Sequence, residues 1–138
     1  MELYTPDSGR IEVSEERDLV RVRKAVRDAC SVTGFGLTDI TRIVTAASEL
    51  ARNIYRYAGE GEMRWNGVND GKKTGIKLIF EDHGPGIADI ETALSEGFST
   101  GRSMGMGLPG AKRLMDEVES ESGVDQGTKV VVCKWMQR

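Results

Sequence analysis

The sequence predicts an α/β two-layer sandwich with a mostly antiparallel sheet, formed by a single domain over residues 1–138. Three observations favour this class. Runs of strand character follow one another at hairpin spacing, two amphipathic helical stretches are grouped near the N-terminus, and turn-rich segments separate the strands. A chain of 138 residues can bury a core without disulfides, so one domain is the expected organisation.

The N-terminal part is predicted to form one strand and two helices. A short strand is expected where "RIEV" alternates at residues 10–13. The first helix has Ser14 as its candidate cap, and its predicted apolar face consists of Leu19, Val22, Val26 and Ala29. The first helical pattern ends at "GFGLTD". Thr38 or Asp39 can then cap a second helix, which is predicted to run to about Ala58.

Strands dominate the remaining elements. A strand is predicted near residues 63–68, and "NDGKK" is typical of a hairpin turn. The clearest strand is "GIKLIFED", which places Ile76, Leu78 and Phe80 on one face. A short helix is expected at about residues 89–96 and a further helix from near Leu108. The chain then finishes in a strand pair, "VESESG" and "TKVVVCKWM".

Composition excludes several classes of function. The net charge is −3 and no basic stripe appears, which argues against a dedicated nucleic-acid binder. No apolar run is long enough to span a membrane, and "MELYTPDSGR" has no apolar signal core, so a cytoplasmic protein is expected. A single histidine and two distant cysteines make a zinc site improbable, and Cys30 and Cys133 are expected to be buried reduced thiols.

Two polar residues stand beside the apolar stripe of the second helix. Glu49 and Asn53 are four residues apart and therefore share one helical face. Beside them runs the predicted core-facing stripe, made of Ile40, Ile43, Val44, Ala47, Leu50, Ala51 and Ile54. Taken alone, the pair is compatible with a solvated helix surface as well as with a functional site.

Glycine is concentrated in one part of the chain. Seven of the 17 glycines lie between Gly84 and Gly110, in "EDHGPGI" and "GFSTGRSMGMGLPG". A glycine-rich loop that leads into a helix N-terminus presents free N–H groups and suits phosphate, although a surface loop has the same composition. Neither cluster matches a P-loop, and "GMGLPG" lacks the βαβ context of a dinucleotide-binding fingerprint.

Asp82 ends the apolar strand next to two glycines. A carboxylate there can accept a hydrogen bond from the exocyclic amino group of adenine. Guanine presents an oxygen at that position, and a buried acceptor–acceptor mismatch costs on the order of 1–3 kcal/mol. Asp82 would thus select ATP over GTP. An aspartate that only turns the end of a strand is the alternative.

These elements, "ELARN" on a helix, "DHGPG" after a strand and "GMGLPG" before a helix, together resemble the ATP-binding boxes of the gyrase, Hsp90, histidine-kinase and MutL superfamily. The "GT" that opens the last strand resembles the final box. The resemblance is nearer to the small serine kinases and anti-sigma factors of Gram-positive stress and sporulation pathways. In particular, "SELARNIYRYAG", "GFSTG", "GLPGAKRLMDE" and "KW" resemble the RsbT-type kinases, the switch kinases of the stressosome. This resemblance implies a Bergerat-type ATP-binding fold with helices on one face of the sheet.

The resemblance implies a role for individual residues. Glu49 resembles the catalytic base and Asn53 the magnesium ligand. Asp82 resembles the adenine reader, with Thr128 as a second contact on the adenine side. Phe98–Met104 resembles a short ATP lid. The nucleotide-binding residues implied in the two glycine clusters are Gly84, Gly86, Ser99, Thr100, Gly101, Arg102, Gly105, Met106, Gly107 and Leu108. For Arg102, a solvated loop charge is an equal alternative to a phosphate contact.

The resemblance also implies a function. It implies an ATP- and Mg²⁺-dependent serine/threonine kinase that phosphorylates STAS-domain partners of RsbS/RsbR type and, once released, activates an effector such as an RsbU-type phosphatase. A histidine-kinase catalytic domain is less compatible, because the only histidine, His83, lies inside the nucleotide box. The alternative from another class is a nucleotide-gated binding protein, either an anti-sigma factor or a phosphatase activator, with little kinase activity. Glu49 favours the kinase over the binding protein, because a protein that only binds nucleotide needs no catalytic base.

Overall fold

A computed structural model describes residues 8–82, 110–123 and 127–136. The elements in chain order are β1 (Gly9–Val13), α1 (Asp18–Thr33), α2 (Leu37–Asn53), a π-helical turn (Ile54–Ala58), β2 (Gly61–Asn69), β3 (Thr74–Asp82), β4 (Glu117–Gly123) and β5 (Gly127–Trp135). Residues 110–114 are also helical. The predicted helix at 89–96 and the predicted start of a helix near Leu108 lie outside the described residues.

The five strands form one antiparallel sheet in the order β1-β2-β3-β5-β4, with the helices on one side. This arrangement confirms the predicted two-layer class. The last strand, β5, lies between β3 and β4, so that the end of β3 and the beginning of β5 come together at one end of the central strands.

The core lies between the sheet and the two long helices. Ile76, Leu78 and Phe80 of β3 are buried on the helix side, as their alternation predicts. The apolar stripes predicted for α1 and α2 are buried as well, which confirms the helical periodicity. The spacing of the hydrophobic residues therefore predicted correctly which faces of α1, α2 and β3 are buried.

The start of α1 differs from the prediction. Ser14 does not cap the helix, because residues 15–17 first form a tight turn and α1 begins at Asp18. The side chain of Asp18 instead accepts hydrogen bonds from the backbone N–H groups of Ser14 and Glu15, over 3.0 and 3.1 Å. A carboxylate that reaches back satisfies these donors, so the proposed serine cap was wrong.

The start and the end of α2 also differ from the prediction. Gly36 occupies the N-cap position with extended backbone, and neither Thr38 nor Asp39 makes a capping hydrogen bond. The helical path does continue to Ala58, but its last turn is a π-helix in which Gly59 N–H donates to Ile54 O over 3.0 Å. Gly59 has φ +88°, a conformation that glycine adopts at little cost. π-Helical turns are rare and occur often at functional sites.

The turn between β2 and β3 confirms the predicted hairpin. Asn69 pairs with Thr74, and the Asp70 side chain accepts hydrogen bonds from the N–H groups of Lys72 and Lys73 at 2.8 and 2.7 Å. Gly71 supplies the left-handed residue with φ +95°. The turn sequence thus sets the register of the two strands that lead to the site.

Candidate nucleotide-binding and catalytic site

The π-helical turn that follows α2 lies against the end of β3. Gly61 in β2 pairs directly with Asp82, and a Cβ atom on Gly61 would stand 2.8 Å from Ile54 Cγ2 and 3.0 Å from Asp82 Cβ. The distance to Ile54 is too short for a real Cβ contact and the distance to Asp82 is unusually tight, so the absence of a side chain at Gly61 permits this close approach. The π-helical turn that directly follows Asn53 and the strand end that carries Asp82 therefore meet at Gly61.

Asp82 and Thr128 are joined directly. The backbone N–H of Thr128 donates a hydrogen bond to Asp82 Oδ1 over 3.2 Å. Gly127, just before it, has φ +80° and starts β5 in a left-handed conformation. The family resemblance implied that Asp82 and Thr128 both lie on the adenine side, and the fold brings the two residues together.

Asn53 carries an unusual atom. Its Oδ1 is buried and has no hydrogen-bond partner, the only such side-chain atom found in the described part of the chain. A buried acceptor without a partner costs about 1–3 kcal/mol, and native proteins rarely leave one without reason. An amide oxygen in this state fits a hard cation such as Mg²⁺, which prefers oxygen ligands.

Glu49 lies one turn before Asn53 and is more open. Its side chain is 45% exposed, and Oε2 accepts a hydrogen bond from Arg52 Nη1 over 2.9 Å. Leu50, Ala51 and Ile54 beside it are buried, so Glu49 stands at the margin of the core. The carboxylate is placed where a second molecule can reach it.

Three features of the site were missed by sequence reasoning. They are the ion pair of Arg52 with Glu49, the π-helical turn directly after Asn53, and the contact of Ile54 with Gly61. A basic residue three positions after an acid is the one signal that the sequence offered for the ion pair. The other two features depend on packing.

The "KW" pair near the C-terminus has a structural role. Lys134 Nζ donates to the carbonyl of Leu114 over 3.1 Å and lies 3.6 Å from an oxygen of Asp116. The backbone N–H of Trp135 donates to Asp116 Oδ2 over 2.8 Å. These contacts secure the end of the helical segment at residues 110–114, which begins at the last residue of the second glycine cluster.

Several predicted site residues lie outside the described residues. They are the predicted lid at 98–104 and Gly84, Gly86, Ser99, Thr100, Gly101, Arg102, Gly105, Met106, Gly107 and Leu108. Within the described ranges, no group of three or more His, Cys, Asp or Glu side chains is placed to hold a metal ion. No helix in these ranges is long and apolar enough to cross a membrane.

Both cysteines are buried free thiols, as predicted. Burial raises the pKa of Cys30 to about 12 and that of Cys133 to about 11. Neither thiol is therefore suited to act as a nucleophile near neutral pH.

The five-stranded antiparallel sheet with helices on one side is consistent with the ATP-binding fold of the gyrase, Hsp90, histidine-kinase and MutL superfamily. A family model described as a histidine kinase-like ATPase domain matches residues 13–134. The chain belongs to this family, and membership implies the use of ATP.

The chain is also similar to individual proteins. It is 46% identical over 131 residues to the serine/threonine-protein kinase RsbT of Bacillus subtilis (strain 168), covering 95% of this chain and 98% of that protein. It is 35% identical over 106 residues to the anti-sigma F factor of Thermoanaerobacter sp. (strain X514), covering 72% and 73%. An anti-sigma F factor of Anoxybacillus flavithermus (strain DSM 21510 / WK1) is 31% identical over 109 residues, covering 74% and 73%. The match along nearly the whole chain to a serine/threonine kinase supports protein kinase activity.

Proposed function

We propose that this chain is an ATP- and Mg²⁺-dependent serine/threonine kinase that phosphorylates a STAS-domain partner. The observation that carries the proposal is the buried, unpartnered Oδ1 of Asn53, one turn after Glu49 and directly before Ile54, which packs near the strand end that holds Asp82. These three residues have the chemistry that ATP binding, cation binding and proton transfer require. The similarity to a serine/threonine-protein kinase supports the reaction class.

Adenine recognition is assigned to Asp82 and Thr128. The backbone N–H of Thr128 donates a hydrogen bond to one carboxylate oxygen of Asp82, and this contact orients the carboxylate at the end of β3. A carboxylate in this orientation accepts from the exocyclic amino group of adenine and disfavours the oxygen of guanine. We therefore expect ATP to be preferred over GTP.

Cation binding is assigned to Asn53. Mg²⁺ takes oxygen ligands at about 2.0–2.1 Å and retains several waters, so one amide oxygen together with phosphate oxygens is a sufficient set. The bound ion supplies charge neutralisation on the triphosphate. The predicted glycine-rich loop, with Gly105 and Gly107, is assigned to the phosphates.

Glu49 is assigned as the general base. The acceptor hydroxyl oxygen forms a bond to the γ-phosphorus, the bond from that phosphorus to the β–γ bridging oxygen breaks, and ADP leaves with the bonding electron pair. The hydroxyl proton passes to the Glu49 carboxylate. Phosphoryl transfer depends mainly on positioning and charge stabilisation, which a half-exposed carboxylate at the core margin suits.

The partners are inferred by similarity of sequence. We infer that the chain acts in the cytoplasm on STAS-domain proteins of RsbS/RsbR type and, once released, activates an effector such as an RsbU-type phosphatase. A second candidate, a nucleotide-gated binding protein with little kinase activity, is favoured by the 30–35% identity to several anti-sigma F factors.

The proposal is tested by mass spectrometry of a STAS-domain protein from the same operon after incubation with this chain and Mg²⁺·ATP. We expect a mass increase of one phosphoryl group on a serine or threonine of the partner. Omission of Mg²⁺ and replacement of ATP by GTP serve as controls, and both should suppress the product. Tight binding of the partner without any phosphorylation would favour the binding protein instead.

A further inference from the structure

The ion pair between Arg52 and Glu49 is the feature of the site that the proposed function leaves unused. Arg52 Nη1 lies 2.9 Å from Glu49 Oε2, with the arginine side chain 30% exposed. Arg52 and Asn53 stand three and four positions after Glu49, so all three share one face of α2. The guanidinium is therefore part of the same surface as the assigned base and the assigned cation ligand.

The two oxygens of Glu49 are not equivalent. Oε2 is bound to Arg52, whereas the Glu49 carboxylate makes no other hydrogen bond within the described part of the chain. The side chain is 45% exposed, so a second molecule can approach the carboxylate while it is held at Oε2. A base that is fixed at one oxygen presents the other in a defined direction, which is the arrangement that proton abstraction needs.

We propose that Arg52 is a positioning residue for the phosphoryl-transfer step, holding Glu49 Oε2 so that Oε1 faces the acceptor hydroxyl. The inference rests on the proposed function, because it requires Glu49 to be the base. Arg52 itself takes no proton and contacts the reacting atoms only through Glu49.

A purely structural role is the competing explanation. Arg52 lies in the last turn of α2, where a cation is favourable next to the helix dipole, and exposed ion pairs of this spacing contribute little. The same helix offers a matched control. Arg42 and Asp39 form an ion pair with the same spacing, 3.3 Å apart, in the first half of α2 and away from Asn53.

The test compares Arg52→Gln, Arg52→Lys and Arg42→Gln in steady-state transfer from ATP to the STAS-domain partner. We expect Arg52→Gln to lower kcat about 10- to 100-fold with the KM for ATP unchanged, because misplacement of a catalytic group affects the chemical step. Arg52→Lys should recover part of kcat, since it keeps a cation in place. Arg42→Gln should retain the kcat of the unaltered chain. An unchanged kcat in Arg52→Gln, or an equal loss in Arg42→Gln, would overturn the inference.

A double variant separates positioning from a direct contact. In the background of Glu49→Gln, Arg52→Gln should lower kcat by less than twofold, since the group that Arg52 positions is already absent. A full further loss in the double variant would mean that Arg52 acts on phosphate or on the partner, which overturns the inference. If Glu49→Gln itself transfers phosphate at the rate of the unaltered chain, the assignment of the base fails. If Glu49→Gln is impaired and Arg52→Gln is not, only the role of Arg52 fails.

Discussion

The backbone N–H of Thr128, at the start of β5, donates a hydrogen bond to Asp82 Oδ1, at the end of β3, over 3.2 Å. The two residues are 46 positions apart in the chain. They continue the antiparallel register that pairs Glu81 with Lys129. A backbone N–H group thus holds the Asp82 carboxylate in a fixed orientation at the end of β3. A ligand that binds there meets a carboxylate that is already oriented.

Replacement of Asp82 by asparagine should weaken ATP binding and leave the fold intact. The amide oxygen can still accept from Thr128, but the charge-assisted bond to adenine, worth about 1.5–3 kcal/mol, is lost. Affinity should fall about 10- to 100-fold in titration calorimetry. Glu81→Gln, whose side chain pairs with Arg64, is the neighbouring control and should bind ATP normally. Unchanged affinity in a folded Asp82→Asn variant would remove Asp82 from the site.

Asn53→Ala should increase stability and abolish turnover. Oδ1 has no partner to lose, and alanine is the better helix former, so the free energy of unfolding without nucleotide should rise by about 0.5–1 kcal/mol. Kinase turnover and the Mg²⁺-dependent part of ATP affinity should disappear. Urea unfolding and calorimetry with and without Mg²⁺ measure the two effects. If the affinity of the unaltered chain for nucleotide does not depend on Mg²⁺, the assignment of Asn53 as the Mg²⁺ ligand is contradicted.

Glu49→Gln distinguishes a kinase from a binding protein. The substitution keeps shape and helix propensity but removes the base, so transfer to the partner should fall about 10²–10⁴-fold. Affinity for ATP and for the partner should change little, because the adenine contact and the cation ligand are untouched. Labelled ATP gives the rate, and calorimetry gives the affinities. Transfer at the original rate would return Glu49 to the role of a solvated helix residue.

Acid stability should depend on Asp18. The hydrogen bond from Ser14 N–H lowers the pKa of this buried carboxyl most, burial opposes it, and Glu15 N–H and Arg21 lower the pKa further. Since the pKa is lower in the folded state, the contribution to stability is present above the unfolded value of about 3.9 and is lost as pH falls through the folded pKa. Asp18→Asn should therefore reduce stability at pH 6 and flatten its decline as the pH falls below about 4. Urea unfolding across this range measures both, and an unchanged pH dependence would contradict the assignment.

Local periodicity determined much of the fold. The alternation of Ile76, Leu78 and Phe80 identified β3 and its buried face, and the stripe along α2 placed Glu49 and Asn53 together on one side of a helix. Helix starts were less predictable, because Ser14, Thr38 and Asp39 all have capping side chains and only the path of the preceding turn decides which donors are available.

By itself, then, the sequence determined which residues share a face within each element, because the repeat of a helix or a strand fixes the direction of every side chain. Only the tertiary structure decided which elements meet. The insertion of β5 between β3 and β4 brings Thr128 to Asp82, and the bare backbone of Gly61 lets Ile54 approach the same strand end. Strand order and close packing arise from contacts between distant segments, on which hydrophobic spacing along the chain carries no information.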